Sequence, residues 1–455
     1  MQALLPRATS GCAPSLGSSV SRTLRSRPQI RPAPARAYSV APSSRHRPQV
    51  PHASCRPQAF PLGARAYTRV KPPPFAFAFD IDGVLLHAAK PIPGAREVFE
   101  FLGRNNVPFI LLTNGGSKPT DRRQGELREL LGIPPRANYL VQSHTPFKLL
   151  AQSPLSAAGA ELFPGAESLR DKNVLVFGPD AEDMRAIAHE YGFRRVLTTA
   201  DILAADPTIF PFAPSPLMEK ERQAAAALAR SRGPPSGEGA GGKLKIDAMF
   251  VLNDPRDWAL TTQIIVDLLL SERGVLGTYS ARNGRPDLPR HGWLSDAQPR
   301  LYFSNPDLLW AAAHPLPRLG QGAFHAALAG IWARITDGEA ELECKVIGKP
   351  SWETYRFAED VLCAQRAHMG EEGEGASGGA VYMVGDNPES DVCGANRFKK
   401  TATRGARWHS ALVRTGVWRP EHGPPKYEPD VIVDDVRAAV EWALEREGWK
   451  GGLGA

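Results

Sequence analysis

Two aspartates stand one residue apart at the end of an apolar run. Residues 75–86 read FAFAFDIDGVLL, so Asp80 and Asp82 directly follow five apolar residues, and Gly83 comes next. Neighbouring carboxylates repel each other, and their burial costs free energy unless a cation lies between them. The pattern therefore predicts a buried strand that ends at a cation site.

Similar polar groups follow three later apolar runs. They are Thr113 with Asn114, Lys349, and Asp386 with Asp391. Taken alone, each is an ordinary turn or helix cap. The ligand crevice of a parallel sheet lies beyond the carboxyl ends of its strands, where all these groups would meet. Their joint occurrence favours one shared site over four unrelated turns.

The residue types fit the hydrolysis of a phosphate ester. Asp80 is predicted to attack phosphorus and form an aspartyl-phosphate. Asp82 is predicted to protonate the leaving oxygen and later to deprotonate the hydrolytic water. Because a phosphoryl group repels a carboxylate, a hard divalent cation must lie between them. The predicted Mg²⁺ ligands are Asp80, Asp386 and the main-chain carbonyl of Asp82.

Three further side chains are predicted to support this reaction. Lys349 and the hydroxyl of Thr113 would hold phosphoryl oxygens as charge shifts in the transition state. Asp391, five residues after Asp386, would orient Lys349 and the waters around the metal. His87 and His144 lie near the motifs, but no Cys or Ser forms a triad with them, so we interpret them as loop residues.

After residue 70, short apolar runs alternate with amphipathic helical stretches, and these elements position the polar residues. This alternation predicts a parallel sheet covered by helices. The apolar runs begin at residues 75, 107, 174, 246, 300, 345, 381 and 430. Two Gly-rich stretches, at 231–243 and 370–379, have nothing to bury and are predicted to be surface insertions.

From about residue 75 onward, the chain resembles the haloacid dehalogenase superfamily of phosphohydrolases, whose four motifs are those described above. LLTNGGSKPTDRRQGELRELLGI (111–133), YFSNPDLLW (302–310) and VIGKPSWETY (346–355) are similar to its class IIA branch. DIDGVLL and VGDNPESDVCGAN are most similar to the mitochondrial cat eye syndrome critical region protein 5 group. The resemblance implies an α/β fold, with a doubly wound, Rossmann-like parallel-sheet core and an inserted α/β cap.

The resemblance also implies a phosphate-binding loop. The expected phosphate-binding residues are Thr113, Asn114, Gly115 and Lys349. The expected catalytic residues are Asp80, Asp82, Thr113, Asn114 and Lys349. Gly115 and Gly116 stand where many class IIA members carry another Asn. This departure would loosen the loop but keep the hydroxyl donor. Asn305, Pro306 and Asp307 fit a substrate-facing role or a simple turn equally well.

Four segments are expected along the chain. Residues 1–70 are predicted to be a disordered mitochondrial presequence. The core would comprise residues 71–144 and 300–450, and the cap residues 145–299.

The basic excess of the chain lies in its first 79 residues, which hold eleven Arg and one Lys and lack acidic residues. The rest holds 43 basic residues against 48 acidic ones, so no nucleic-acid partner is expected. The leader lacks the apolar segment of a secretory signal and resembles a mitochondrial presequence. Its two copies of ARAY predict processing before Ser39 or before Thr68. A disordered basic tail without a targeting role is the alternative.

Other sequence features exclude some classes of protein. Five scattered Cys without a C-x-x-C pair indicate neither a disulfide framework nor a zinc site. No apolar run reaches the roughly 20 residues of a membrane-spanning helix, so no integral membrane segment is expected.

The predicted function is Mg²⁺-dependent hydrolysis of a small phosphorylated metabolite in the mitochondrial matrix, with a homodimer as one candidate assembly. Two alternatives stay open. One is a phosphatase of glycerophospholipid synthesis, because some fungal relatives are fused to a CDP-alcohol phosphatidyltransferase domain. The other is a catalytically silent binding protein with the same fold.

Overall fold

The computed structural model describes residues 71–133, 139–212, 219–220, 223, 226–227, 243–310, 312, 314, 316–370, 378–401 and 405–453. The expected presequence at 1–70 lies outside the described residues, as do most of the Gly-rich stretches at 231–243 and 370–379. Within the described ranges, no helix has the length and apolar character needed to cross a membrane.

Strands and helices alternate along the described chain. The strands are β1 (Phe75–Phe79), β2 (Leu86–His87), β3 (Lys90–Pro91), β4 (Phe109–Thr113), β5 (Leu140–Gln142), β6 (Asn173–Phe177), β7 (Arg195–Leu197), β8 (Ala248–Val251), β9 (Arg300–Phe303), β10 (Leu309–Trp310), β11 (Arg318–Leu319), β12 (Lys345–Val346), β13 (Gly379–Gly385), β14 (Ala406–Val413) and β15 (Val431–Val433). The α-helices are α1 (Ala95–Arg104), α2 (Thr120–Leu131), α3 (Ala157–Leu162), α4 (Ala181–Tyr191), α5 (Thr199–Ala205), α6 (Trp258–Leu270), α7 (Gln321–Ile335), α8 (Trp352–His368), α9 (Cys393–Phe398) and α10 (Val436–Arg446).

Six strands form an all-parallel sheet in the order β15-β14-β13-β1-β4-β5. From β1, the chain adds β4 and β5 on one side and then returns to add β13, β14 and β15 on the other. The winding therefore reverses between β1 and β13. This topology confirms the predicted doubly wound parallel sheet. Ligands of such sheets bind at the carboxyl ends of the strands beside the reversal, which are the ends of β1 and β13.

The FAFAF sequence of β1 explains why this strand lies in the middle of the sheet. Successive side chains of a strand point to opposite faces. Phe75, Phe77 and Phe79 belong to the apolar cluster that includes side chains of α1, α2 and α10. Ala76 and Ala78 belong to the cluster that includes side chains of α8 and α9. Both faces are thus covered, as expected for a central parallel strand.

A second parallel sheet has five strands in the order β12-β9-β8-β6-β7. Helices α6 and α7 share an apolar cluster with one of its faces. Its other face joins the cluster that also covers the six-stranded sheet. Phe147, in a 3₁₀ turn at Thr145–Ala151, packs its ring 5.1 Å from that of Phe250 and 5.7 Å from that of Tyr302. Shared apolar packing therefore connects the two sheets.

The five-stranded sheet extends past residue 300, where the sequence predicts that the core resumes. The sequence assigns the apolar runs at 300 and 345 to the core, but β9 and β12 pair in the five-stranded sheet, and α7 packs there too. The chain returns to the six-stranded sheet only at β13. Both sheets are parallel and covered on two faces, so their strands are alike in apolar pattern, which does not identify the partner strand.

We expect Phe77→Ala to lower the free energy of unfolding by about 3–5 kcal/mol, because it leaves a cavity at a fully buried ring. Phe212→Ala is the control, since Phe212 is 65% exposed, and its effect should stay within about 0.5 kcal/mol. Urea unfolding followed by circular dichroism measures both changes. Equal losses would contradict the placement of Phe77 in the core.

Candidate active site

A buried lysine lies at the centre of the polar cluster beyond β1 and β13. Lys349 is 1% exposed, and its Nζ lies 2.7 Å from Asp391 Oδ1 and 3.0 Å from Asp80 Oδ1. Burial lowers the pKa of Lys349, but the Asp391 and Asp80 charges more than offset this, so the pKa lies above its ordinary value. Lys349 is therefore a fixed positive charge with two anionic partners.

Three carboxylates converge next to this lysine. Asp80, Asp386 and Asp391 each offer one oxygen within 4.8 Å of the others, and all three are buried. Asp80 follows β1 directly, and its N–H donates to Val384 O at the end of β13. Asp386 follows β13 directly, and Asp391 lies in the π-helical turn Pro388–Val392. The strand ends thus bring together the acids that the sequence predicted to be close.

When all three carboxylates are ionised, the single charge of Lys349 does not balance them. Burial raises the pKa of Asp386 well above its ordinary value, and the charges of Asp80 and Asp391 raise it further. Burial also raises the pKa of Asp391 to about 6, although Lys349 opposes that shift. A divalent cation would stabilise the ionised carboxylates, and carboxylate oxygens are its preferred ligands. The donor set therefore fits a hard divalent cation.

Two glycines make room for the Asp386 carboxylate. A Cβ atom at Gly83, which has φ +87°, would lie 2.4 Å from Asp386 Oδ2, and one at Gly416 would lie 1.9 Å from the same oxygen. The Val417 N–H donates to Asp386 Oδ2 at 2.6 Å, and the Thr415 hydroxyl donates to Gly83 O at 2.5 Å. Gly83 therefore lets the chain turn after Asp82 and also leaves room for the Asp386 carboxylate.

Asp82 lies at the mouth of the site and is exposed. Surrounding protein atoms still raise the pKa of its carboxyl by desolvation, whereas Arg123 and Lys349 lower it. The Asp82 carboxylate does not belong to the cluster of Asp80, Asp386 and Asp391. The sequence predicts that Asp82 binds the metal through its main-chain carbonyl. An exposed carboxyl with a raised pKa is suited to exchange protons with a substrate and with water.

The loop after β4 borders the same opening. Thr113 is the last residue of β4, and its hydroxyl accepts a hydrogen bond from the Gly115 N–H at 3.0 Å. Among the described residues the Thr113 hydroxyl has no acceptor, so its proton is available to a ligand. A Cβ at Gly115 would lie 3.3 Å from Thr113 Oγ1 and 4.0 Å from Asp82 Oδ2. The missing side chain keeps the space between these two groups open.

Asn114 holds the backbone of Lys349. Its Oδ1 accepts from the Lys349 N–H at 2.7 Å, and its Nδ2 donates to Lys349 O at 2.9 Å. The same Nδ2 donates to Asp307 Oδ2 at 3.0 Å. The side-chain amide is thus committed to protein partners. The sequence predicts a phosphate-binding role for Asn114, whereas these contacts assign its side chain to positioning Lys349.

Asp307 is a site residue that the predicted set leaves out. It follows β9 within Asn305-Pro306-Asp307, and burial raises the pKa of its carboxyl to about 7. The backbone of Asn114 is tied to the same turn, because Asn305 Nδ2 donates to Asn114 O at 3.2 Å. The sequence signal was present, since polar residues follow an apolar run here as in the four motifs. From the sequence alone, a simple turn explains Asn305, Pro306 and Asp307 as well as a substrate-facing role does.

Gly115 and Gly116 depart from the class IIA pattern, and the packing around the second glycine, Gly116, gives a structural reason for it. A Cβ at Gly116 would lie 2.5 Å from the ring of His144. His144 Nε2 lies 2.9 Å from Gly116 O, and Nδ1 lies 2.6 Å from the Tyr191 hydroxyl. Burial lowers the pKa of His144 to about 4, so the ring is neutral, donates from Nε2 and accepts at Nδ1. Gly116 therefore accommodates His144, and this histidine is a buried loop residue.

Comparison with known proteins adds a second line of evidence. Residues 77–194 match a family model described as haloacid dehalogenase-like hydrolase, and residues 346–439 match a second model described as HAD-hydrolase-like. A mitochondrial hydrolase of Saccharomyces cerevisiae is 34% identical over 390 residues, which cover 82% of this chain and 96% of that protein. This chain belongs to the haloacid dehalogenase-like hydrolases.

Two further proteins are similar to this haloacid dehalogenase-like hydrolase. A Schizosaccharomyces pombe protein named as a cardiolipin synthase (CMP-forming) and mitochondrial hydrolase fusion is 33% identical over 372 residues, covering 81% of this chain and 53% of that protein. The solved structure of a hypothetical protein from Pyrococcus horikoshii is 18% identical, covers 81% of this chain and 99% of that chain, and aligns with a TM-score of 0.48.

Membership in the haloacid dehalogenase-like hydrolases confirms the family predicted from the motifs and makes the protein a hydrolase. Asp80, Asp82, Thr113 and Asn114 lie in the first matched segment, whereas Lys349, Asp386 and Asp391 lie in the second. Asp307 lies between the two segments. The structure therefore adds to the site a residue that neither family model covers.

For this haloacid dehalogenase-like hydrolase, we expect Gly83→Ala to weaken divalent-cation binding, because the new Cβ displaces Asp386. Gly132→Ala is the matched control: Gly132 has φ +68°, and the described residues place no heavy atom within 4 Å of a Cβ there. Both variants should lose roughly 1–2 kcal/mol of stability through backbone strain. Calorimetric titration with Mg²⁺ and with Ca²⁺ measures the difference. Unchanged binding by Gly83→Ala would disprove the role assigned to this glycine.

Proposed function

We propose that this hydrolase cleaves phosphomonoesters through an aspartyl-phosphate on Asp80. The observation that carries the proposal is the buried Lys349 held between Asp80 and Asp391 at the carboxyl ends of the strands. Asp82 lies two residues from the nucleophile and faces solvent. A nucleophile, a proton donor and a fixed positive charge thus meet in one opening.

In the first step, Asp80 attacks phosphorus. Its Oδ1 accepts from the Ile81 N–H at 2.8 Å and lies 3.0 Å from Lys349 Nζ, so we assign the attack to Oδ2. The bond between phosphorus and the leaving oxygen breaks as the new bond to Oδ2 forms. Asp82 gives its proton to the leaving oxygen, which departs as an alcohol.

In the second step, water attacks the phosphorus of the aspartyl-phosphate. Asp82, now ionised, takes the proton from this water. The bond from phosphorus to Asp80 breaks, so the carboxylate is regenerated and inorganic phosphate leaves. Lys349 directs two N–H groups at Asp391 and Asp80, which leaves its third for a phosphoryl oxygen, and the Thr113 hydroxyl donates to another.

Asp80, Asp386 and the main-chain carbonyl of Asp82 would hold Mg²⁺ in this proposal. Bound Mg²⁺ supplies positive charge between the phosphoryl group and the carboxylates that surround it. Asp391 accepts from Lys349 through Oδ1 and from the Asn387 N–H through Oδ2 at 3.1 Å. It therefore fixes the direction of the lysine and, in our proposal, that of the waters around the metal.

The five-stranded sheet and its helices are proposed as the cap over this site. The cap would then extend to about residue 346 rather than to 299. We propose a small phosphorylated metabolite as substrate and the mitochondrial matrix as location. The location is supported by the acid-free, Arg-rich leader and by the names of the two curated relatives, both mitochondrial hydrolases.

A phosphatase of glycerophospholipid synthesis is the second candidate function. The supporting observation is the Schizosaccharomyces pombe relative, in which the hydrolase is fused to a cardiolipin synthase. A screen of soluble phosphorylated metabolites and phosphorylated lipid head groups distinguishes the two candidates. A wild-type chain that turns over none of them, nor 4-nitrophenyl phosphate, would instead favour a binding protein.

We expect Asp80→Asn to abolish turnover of 4-nitrophenyl phosphate with Mg²⁺, because the amide is a poor nucleophile. Asp82→Asn should lower kcat by about 10²–10⁴-fold, the usual contribution of a general acid. Asp287→Asn is the control, because this exposed carboxylate pairs with Arg285 at the surface. Turnover that survives in Asp80→Asn would exclude the proposed mechanism.

We expect Asp386→Asn to abolish Mg²⁺ binding in calorimetric titration, because it removes a charged ligand while preserving the side-chain shape. Circular dichroism checks that the variant folds. If Mg²⁺ binds the variant as tightly as the wild type, Asp386 is not a ligand.

A further inference from the structure

Large apolar side chains are concentrated on the surface of one short hairpin. Strands β10 and β11 pair antiparallel through two residue pairs. Nine large apolar side chains are exposed among the described residues, and five of them lie on this hairpin or at its base. With their exposed fractions, the five are Leu308 (56%), Leu309 (46%), Trp310 (44%), Leu316 (63%) and Leu319 (61%). We call these five residues the apolar hairpin.

The hairpin is too small to shield these side chains by itself. A hairpin of two strands with two residues each cannot cover its own side chains, and scattered single apolar residues, not clusters, are the norm at protein surfaces. The other four large apolar side chains that are exposed among the described residues, Phe212, Tyr279, Ile331 and Val417, do not neighbour one another in the sequence. The concentration of apolar surface therefore indicates a binding partner.

The charge of the segment indicates the kind of partner. Residues 308–319 contain no acidic residue, and they include Arg318 and His314, both exposed. Trp and Leu next to Arg suit the boundary between lipid head groups and acyl chains, and Arg is attracted to anionic lipids. A second copy of this hairpin would instead bring two Arg318 side chains together.

The base of the hairpin is fixed to the active site. Leu308 directly follows Asp307, whose carboxylate accepts from Asn114. At the other end, the Gly320 N–H donates to Leu308 O and the Gly322 N–H donates to Asp307 O, both at 2.9 Å. The apolar hairpin thus begins directly after the Asn305-Pro306-Asp307 turn, which contacts Asn114 in the loop after β4.

We propose that the apolar hairpin docks this hydrolase on the surface of an anionic lipid bilayer. Trp310 and the four leucines enter the region between head groups and acyl chains, and Arg318 contacts lipid phosphates. Docking at this hairpin holds the mouth of the active site beside the membrane surface. The binding assay below requires no turnover, so the docking proposal and the proposed function can fail separately.

The test is quenching of Trp310 fluorescence by brominated acyl chains. Vesicles of phosphatidylcholine are prepared with and without phosphatidylglycerol, and the full chain is compared with its Trp310→Phe variant to isolate the Trp310 signal. The Arg-rich leader is present in both, and charge attraction alone does not bring a tryptophan to the acyl chains. We expect Trp310-dependent quenching that is larger with phosphatidylglycerol.

The double variant Leu316→Ser/Leu319→Ser should lose this quenching, whereas Phe212→Ser, at an exposed phenylalanine elsewhere, should keep it. Hydrolysis of a soluble substrate should be unchanged in both, which shows that they fold. The proposal would be overturned if the protein bound to vesicles without Trp310-dependent quenching. It would also be overturned if the double variant showed the same quenching as the wild type. A wild-type dimer in light scattering that the double variant dissociates would overturn it too, because a second copy would then cover the hairpin.

Discussion

The structure of the site depends on burying one ammonium group. Lys349 is 1% exposed, and burial of an unpaired charge would cost several kcal/mol. Asp80 and Asp391 offset this cost at 3.0 and 2.7 Å. Once the lysine is placed, the third carboxylate, Asp386, lies in a field of like charges and favours a cation. The proposed nucleophile, the proposed metal ligands and the proposed phosphate-binding charge would thus all depend on one electrostatic arrangement.

This arrangement needs both sheets. Asp80 and Asp386 directly follow strands of the six-stranded sheet, whereas Lys349 follows β12 of the five-stranded sheet. The side-chain amide of Asn114 connects them, because it binds the Lys349 backbone on both its N–H and its C=O and also reaches Asp307 after β9. The carboxyl ends of two sheets therefore meet at one point. Because the Asn114 side chain makes these contacts, the loop after β4 holds Lys349 although Gly115 and Gly116 have no side chains.

The sequence predicted the parts of the site that depend on local pattern. Asp80, Thr113 and Asp386 were predicted to be close because polar residues at strand ends are visible in a single chain, and parallel strands share one edge. It did not predict that Lys349 comes from the other sheet, since strands covered on both faces look alike whichever sheet they join. Nor did it identify Asn114 as a support, because that role rests on a contact between residues 235 positions apart. Distant pairing and steric room are properties of the folded chain.

The proposed aspartyl-phosphate on Asp80 can be trapped directly. Protein mixed with excess substrate and Mg²⁺ is quenched and treated with borohydride, which reduces an acyl-phosphate of aspartate to homoserine. Peptide mass spectrometry then locates the change. We expect homoserine at position 80 and at no other aspartate, and only in samples that contained substrate. Modification at Asp82, or phosphate release with Asp80 unchanged, would contradict it.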